Sequence, residues 1–200
     1  RAAKITLYRF VFNFLNDNPS IYDAVALFHS ASHGNLGSTA LSMAEFIVAR
    51  RAMRDQTAYG NSVEFLQIKP KYLVVPNELE ATAERLRIGE SNPDPVLLAT
   101  GGAAAGAAVQ VAAPNVIRNT FEVIVVDYWT DADNWYLVAD PKYIPTIELG
   151  FLNGKQEPEL LTQTDPTVGS VFTADKVSYK IRHIYGGAVL DYRGFYGEVV

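Results

Sequence analysis

Cysteine is absent, and histidine (three), methionine (two) and tryptophan (two) are scarce in the 200 residues. Without a thiol the chain can make no disulfide, no thiolate metal site and no cysteine nucleophile. His29, His33 and His183 are the only imidazoles available as a general base or metal ligand. Long apolar runs are missing too, the longest falling far short of the ~20 residues of a membrane span. No signal-peptide pattern is visible, and Asn18-Pro19-Ser20 carries the proline that forbids glycosylation. An excess of positive charge is also lacking: 17 Lys and Arg against 22 Asp and Glu leave a net charge of −5. A broad nucleic-acid-binding surface is thereby disfavoured, since that affinity comes mainly from neutralising phosphates. Only a local basic ridge fits the count. These absences describe a soluble intracellular product, and the opening on Arg1 suggests an upstream segment.

What is present suits a folded domain or two small lobes, because 48% hydrophobic and 20% charged residues exclude wholesale disorder. In TLYRFVFNFL, Tyr8, Phe10, Phe12 and Phe14 alternate strictly, the pattern of a strand with an aromatic face. The cluster NDNPS is a turn, IYDAVALF a second short apolar run, and HSASHGNLGST a glycine-punctuated loop. Ser42 and Glu45 form a capping box, with Leu41 and Phe46 at the staple positions, so a helix is expected from Met43 to Tyr59, ended by Gly60. Its apolar residues form no single stripe, which suits a helix contacted from several directions. Tyr72–Val75 reads as a buried strand stopped by Pro76. Asn77 is placed to cap a second helix with Arg85 and Arg87 in its last turn and Gly89 after it. Residues 91–113, with GGAAAGAAVQVAA, are the low-complexity segment, and Gly101–Ala108 reads as a mobile loop. Strands resume in FEVIVVDYW, WYLVAD and TIELGFL, and residues 153–169 read as a connector. At the end, Val177, Tyr179, Ile181 and His183 alternate with their neighbours, Gly186-Gly187 suits a two-residue turn, and Ala188 to Tyr196 supplies a second arm. A terminal structural hairpin is the expectation.

Chemistry is thinly represented. His29 and His33 have the spacing of a helical zinc pair, but HSASH lacks the glutamate of that motif, and Gly34 and Gly37 oppose a helix. Ser30 or Ser32 beside a histidine is adjacency without triad geometry, and no G-x-S-x-G elbow occurs. GGAAAG fits neither phosphate-binding pattern. Asp127, Asp131, Asp133 and Asp140 lie at strand ends and turns, where aspartate commonly makes local hydrogen bonds. No catalytic residue, metal or cofactor is expected. Arg50, Arg51 and Arg54 gather on the first expected helix, where solvent or a neighbouring subunit's carboxylates could face them.

Five segments in order, VFNFLNDNPSIYDAVALFHSASHGNLG, the helix, IKPKYLVVPNELEATAERL, NWYLVADP and VSYKIRHIYGGAVLDYRGFYG, resemble the major capsid proteins of Mu-like phages and prophages. That group is similar to the wider tailed-phage capsid family with the Hong Kong 97 fold. The resemblance implies an α+β subunit with a peripheral lobe (long spine helix plus long strands) and an axial lobe (small sheet flanked by helices). It implies an extended N-terminal excursion and its base over 1–40, a spine helix over 41–60, an axial lobe over 61–165 and peripheral return strands over 166–200. The implied role is a self-assembling subunit of hexamers and pentamers in an icosahedral head that encloses DNA without reading its sequence. Its partners would be further copies, a scaffold, a maturation protease and a portal, with assembly in the bacterial cytoplasm and no membrane. Arg50, Arg51, Arg54, Phe10 and Phe12 are the candidate subunit contacts. The alternatives are an encapsulin-like nanocompartment shell and, more weakly, a small hydrolase using His29, Ser30 and His33.

Overall fold

A computed structural model describes residues 2–60, 63–92, 96–98, 109–111 and 114–200. In chain order the elements are α1 (Ala2–Asn16), β1 (Leu36–Gly37), α2 (Met43–Arg54), β2 (Pro70–Pro76), α3 (Glu80–Ile88), β3 (Val96–Leu98), β4 (Val109–Val111) and β5 (Glu122–Val126). Then follow β6 (Trp135–Ala139), β7 (Ile147–Phe151), β8 (Glu159–Gln163), α4 (Gly169–Ala174), β9 (Ser178–Arg182), β10 (Tyr185–Val189) and β11 (Phe195–Glu198). The class is mixed α+β. Contacts divide the chain into two compact units, each built from two stretches. The first is Arg1–Asp17 with Ile147–Val189, and the second is Asn18–Thr146 with Leu190–Val200. The unit boundaries do not fall at residues 40, 60 or 165. The loop expected at Gly101–Ala108 lies outside the described residues.

The second unit is organised by a five-stranded sheet in the order β1-β11-β6-β2-β5. β2 pairs with β5 in parallel and with β6 antiparallel, so the two apolar strands expected around Tyr72 and Trp135 become neighbours. Side chains alternate between faces, which sorts this sheet into two buried layers. Leu73, Val75, Trp135 and Leu137 join Phe46 and Met53 of α2 and Leu86 of α3 in one core. On the other face Val74 and Tyr136 are buried, and Phe28 lies against Tyr136 with ring centroids 5.2 Å apart. Each fully buried large apolar side chain stabilises by about 1.5–3 kcal/mol.

α2 begins as its sequence specifies: the Ser42 Oγ accepts the Glu45 N–H at 3.1 Å, and Leu41 and Phe46 are both buried in the core. It stops at Arg54, short of the expected Tyr59. Backbone bonds explain the early end, because Leu66 N–H donates to Gln56 O and Ala58 N–H to Glu64 O, around a bridge between Thr57 and Phe65. Gly60 adopts a positive φ of 70° inside that turn and caps nothing. Asn77 likewise makes no cap: it opens a single 3-10 turn, Asn77–Leu79, that leads into α3. Ala83 and Leu86 of α3 are buried.

The first unit departs most from expectation. The alternating aromatics belong to a helix, α1, and to no strand. Residues 8 and 12, or 10 and 14, are also four apart, and the helix uses that spacing: Tyr8 meets Phe12 at 4.6 Å and Phe10 meets Phe14 at 5.2 Å. The supposed connector 153–169 contains β8, which pairs antiparallel with β9. The terminal hairpin does not form. Gly186 and Gly187 lie inside β10, opposite Gly150 and Leu149 of β7, and β11 joins the other unit's sheet. Neither adopts a positive φ, and Gly187 serves close approach. A Cβ on Gly187 would stand 2.8 Å from the Glu148 carbonyl and 3.2 Å from the Phe10 ring, so α1 could not lie against β10 as it does.

Candidate functional site

The histidine loop of the second unit is held by its own hydrogen bonds. His29 N–H donates to Asn35 Oδ1 at 3.0 Å, and the His29 Nδ1 accepts Ser32 N–H at 3.0 Å. His33 is buried, with Nδ1 donating to Leu27 O at 3.0 Å and Nε2 2.7 Å from Asp23 Oδ2. Its ring stacks on Tyr192 at 3.8 Å. Both His33 nitrogens are therefore engaged in hydrogen bonds within this loop. The hydrogen bond from His33 holds the Asp23 carboxyl below its usual range. Among the described residues no group of three or more His, Asp or Glu is arranged to hold a metal ion. No described helix is long and apolar enough to cross a membrane.

The turn carboxylates make local bonds. Asp131 accepts Asp133 N–H at 3.2 Å and the Asn134 amide at 2.8 Å. Asp140 accepts Lys142 N–H at 3.0 Å and the Lys71 ammonium at 3.1 Å, and these bonds, Lys142 first, lower its carboxyl. Asp140 and Lys71 line a groove of about 930 Å³ with Phe121 and Ile144 on its wall. Arg193 pairs there with Asp191 at 3.1 Å, and the lining's three cations (Lys69, Lys71, Arg193) equal its three anions (Glu122, Asp140, Asp191) in number.

The arginines cluster as their spacing predicted. Arg50, Arg51 and Arg54 line a shallow groove of about 320 Å³ with Ile47, Phe65 and Gln67. Arg51 bonds Asp55 of its own helix at 3.3 Å, an exposed pair of small energetic weight. Arg50 and Arg54 have no ion-pair partner among the described residues. Beside them Phe65 is 54% exposed, which puts apolar surface next to unpaired positive charge. The aromatic candidates are placed differently. Phe10 is half-buried, 5.3 Å from Tyr185 within the first unit, and Phe12 pairs with Tyr8 along α1.

One buried group escaped the sequence reading. Glu198 on β11 is 1% exposed and accepts Thr39 N–H at 2.7 Å. Burial pushes its carboxyl up, and burial together with Glu198 pushes the neighbouring Tyr196 phenol up to about 12. Gly37 faces this carboxylate from the parallel strand β1, at a distance that leaves no room for a Cβ. The sequence signal, a glutamate between Gly197 and Val199, does not distinguish a buried acid from a solvated one.

The surface thus carries unpaired arginines and exposed apolar side chains, while the residues that suggested catalysis are tied to backbone and to one another. Comparison with curated proteins returns no match, and comparison with solved structures returns none either. A protein-family model described as phage capsid protein matches residues 1–197, almost the whole chain. The chain belongs to the phage capsid protein family, and its role is that of a structural protein of the phage head.

Proposed function

We propose that the chain is the self-assembling subunit of a closed icosahedral head, forming hexamers and pentamers around DNA, and that it is of the Mu-like, Hong Kong 97 type. The observation that carries this reading is the α2 ridge, where Arg50 and Arg54 stand without an acidic partner among the described residues, beside exposed Phe65. A surface of this kind gains from a neighbour's carboxylates and apolar side chains more than from water. Phe12 with Tyr8 offers a second aromatic contact on α1, whereas Phe10 spends much of its surface on Tyr185. In this reading residues 1–40 form the extended excursion and its base, 41–60 with α2 the spine helix, 61–165 the axial lobe and 166–200 the return strands of the peripheral lobe, and the small sheet holding β2, β5 and β6 supports the axial assignment. A scaffold, a maturation protease and a portal would act on the assembly in the bacterial cytoplasm. No specific observation favours a nanocompartment shell or a hydrolase.

The test is electron microscopy of the full-length protein expressed with any scaffold or protease encoded beside it, comparing wild type with Arg50→Glu/Arg54→Glu. Charge reversal at a desolvated contact costs several kcal/mol, roughly, by setting like charges together. Shells from the wild type and none from a folded double variant are expected. Normal variant shells would remove the ridge from the interface, and no wild-type shells under any such condition would overturn the assembly reading.

A further inference from the structure

Among the described residues Glu198 is the only buried carboxylate, and it is built into the join between β11 and the start of α2. Register sets it opposite Trp135 of β6 and beside Gly37 of β1. Its Oε2 accepts the Thr39 N–H at 2.7 Å, and the Tyr196 phenol donates to it from two residues earlier on the same face. Thr39 is where three elements meet. Its hydroxyl donates to Glu45 Oε2 of α2 at 3.1 Å, and its carbonyl accepts the Trp135 indole N–H at 3.0 Å. Three residues later Ser42 caps α2. One buried carboxylate, acting through one threonine, thus fixes the segment 38–41 that leads into the helix.

We infer that the Glu198–Thr39 bond is a pH-sensitive latch: with Glu198 neutral the segment lies closed over it, and with Glu198 ionised the segment lifts from β11 and water reaches the charge. A buried carboxylate without a cation is costly, and either a proton or hydration relieves it. The groups facing Glu198 supply no cation. Tyr196 comes from its own strand and Glu45 from α2, while β1 and β6 bring Gly37 and Trp135. The segment itself holds only Ser38, Thr39, Ala40 and Leu41. Glu45 is a second carboxylate, so it adds to what burial already does against ionisation. The Tyr196 phenol, pushed up to about 12, keeps its proton and stays a donor. Because the Glu198 carboxyl is raised, the closed state is complete at low pH and is lost as pH rises through the raised value. Opening stays local because Ser38, Thr39 and Ala40 are exposed and bury little that lifting would forfeit.

Trp135 reports the latch, because its indole N–H is bonded to Thr39. In a Trp129→Phe background it is the only tryptophan. That change forfeits no hydrogen bond, since the buried Trp129 indole N–H has no partner among the described residues. Acrylamide quenching of the full chain is followed from about pH 4, the ordinary carboxyl range, to about pH 9, where the most strongly raised buried glutamates still titrate. Quenching is expected to rise by about 3-fold or more as the segment opens, with far-UV circular dichroism unchanged. The rise should follow a one-proton curve, the closed-to-open ratio falling by up to about tenfold per pH unit. Glu198→Gln should abolish it. Glu45→Gln should move it to lower pH, because removing a like charge eases ionisation, and this variant keeps the test decisive if the first does not fold. Flat quenching with Glu198 in place, a rise that persists in Glu198→Gln, a rise that Glu45→Gln leaves unmoved, or one that coincides with loss of the dichroism would each overturn the latch.

Discussion

Leu73 opposite Leu137 in the second unit and Leu160 opposite Ile181 in the first are the same kind of cross-strand pair, yet the former are 0% exposed and the latter 64% and 63%. Strand chemistry is equal in the two places. The difference is what lies above: α2 and α3 cover the β2–β6 pair, and among the described residues no layer lies over the apolar side of the β8–β9 pair. A pairing of apolar side chains therefore makes a strand, and only a second layer makes a core. The glutamates show the same contrast. Burial raises the carboxyl of Glu198, whereas Lys155 and then Arg182 hold half-buried Glu159 below its usual range.

The largest effect that sharpens the contrast is expected from Leu137→Ala, which opens a cavity between the sheet and its helices. A loss of about 2–5 kcal/mol in denaturant unfolding is expected. A loss near that of a surface substitution would mean that the helices do not cover the sheet.

Glu198→Gln comes next and isolates the cost of a buried charge. A carboxyl raised on folding binds its proton more tightly in the folded state, so its contribution to stability is complete below the ordinary carboxyl range and is lost as pH rises through the raised value. The neutral amide avoids that loss. Thermal melts should show the variant above wild type by about 2 °C at pH 8, with the gap closing toward pH 4. A variant less stable at every pH would show that the carboxylate's hydrogen bonds outweigh its burial.

The smallest effect belongs to the ribbon. Ile181→Ser in the dilute subunit should stay within about 0.5 kcal/mol of wild type, since it removes no buried contact. A loss of 2 kcal/mol or more, roughly, would mean that the chain itself covers this face.

Much of the second unit was legible in advance. Ser42 and Glu45 announced the start of α2, Pro76 the end of β2, and the apolar runs after Tyr72 and Trp135 the two central strands. Each of these signals acts within a few residues, through a cap, a missing N–H or unbroken apolar character. The arginine cluster was legible for the same reason. The first unit was not. The aromatic spacing from Tyr8 to Phe14 satisfies both a period of two and a pairing four apart, so periodicity alone could not choose between strand and helix. Gly186-Gly187 suited a tight turn, but the approach of α1 to β10 gave Gly187 another use. The buried state of Glu198 depended on β1, some 160 residues earlier in the chain.

By itself the sequence determined the local chemistry of this protein: no thiol reactions, few imidazoles, a cationic ridge on α2, and which segments favour regular structure. Those outcomes follow from residue identity and from forces acting over one turn or one strand. Tertiary structure alone decided which strand pairs with which, how residues 147–189 join α1 in one unit, and which apolar faces are covered. Partner choice depends on contacts between segments separated in the chain, from Leu160 with Ile181 to Leu36 with Gly197, and the free energy of burying one face against another is a property of the pair.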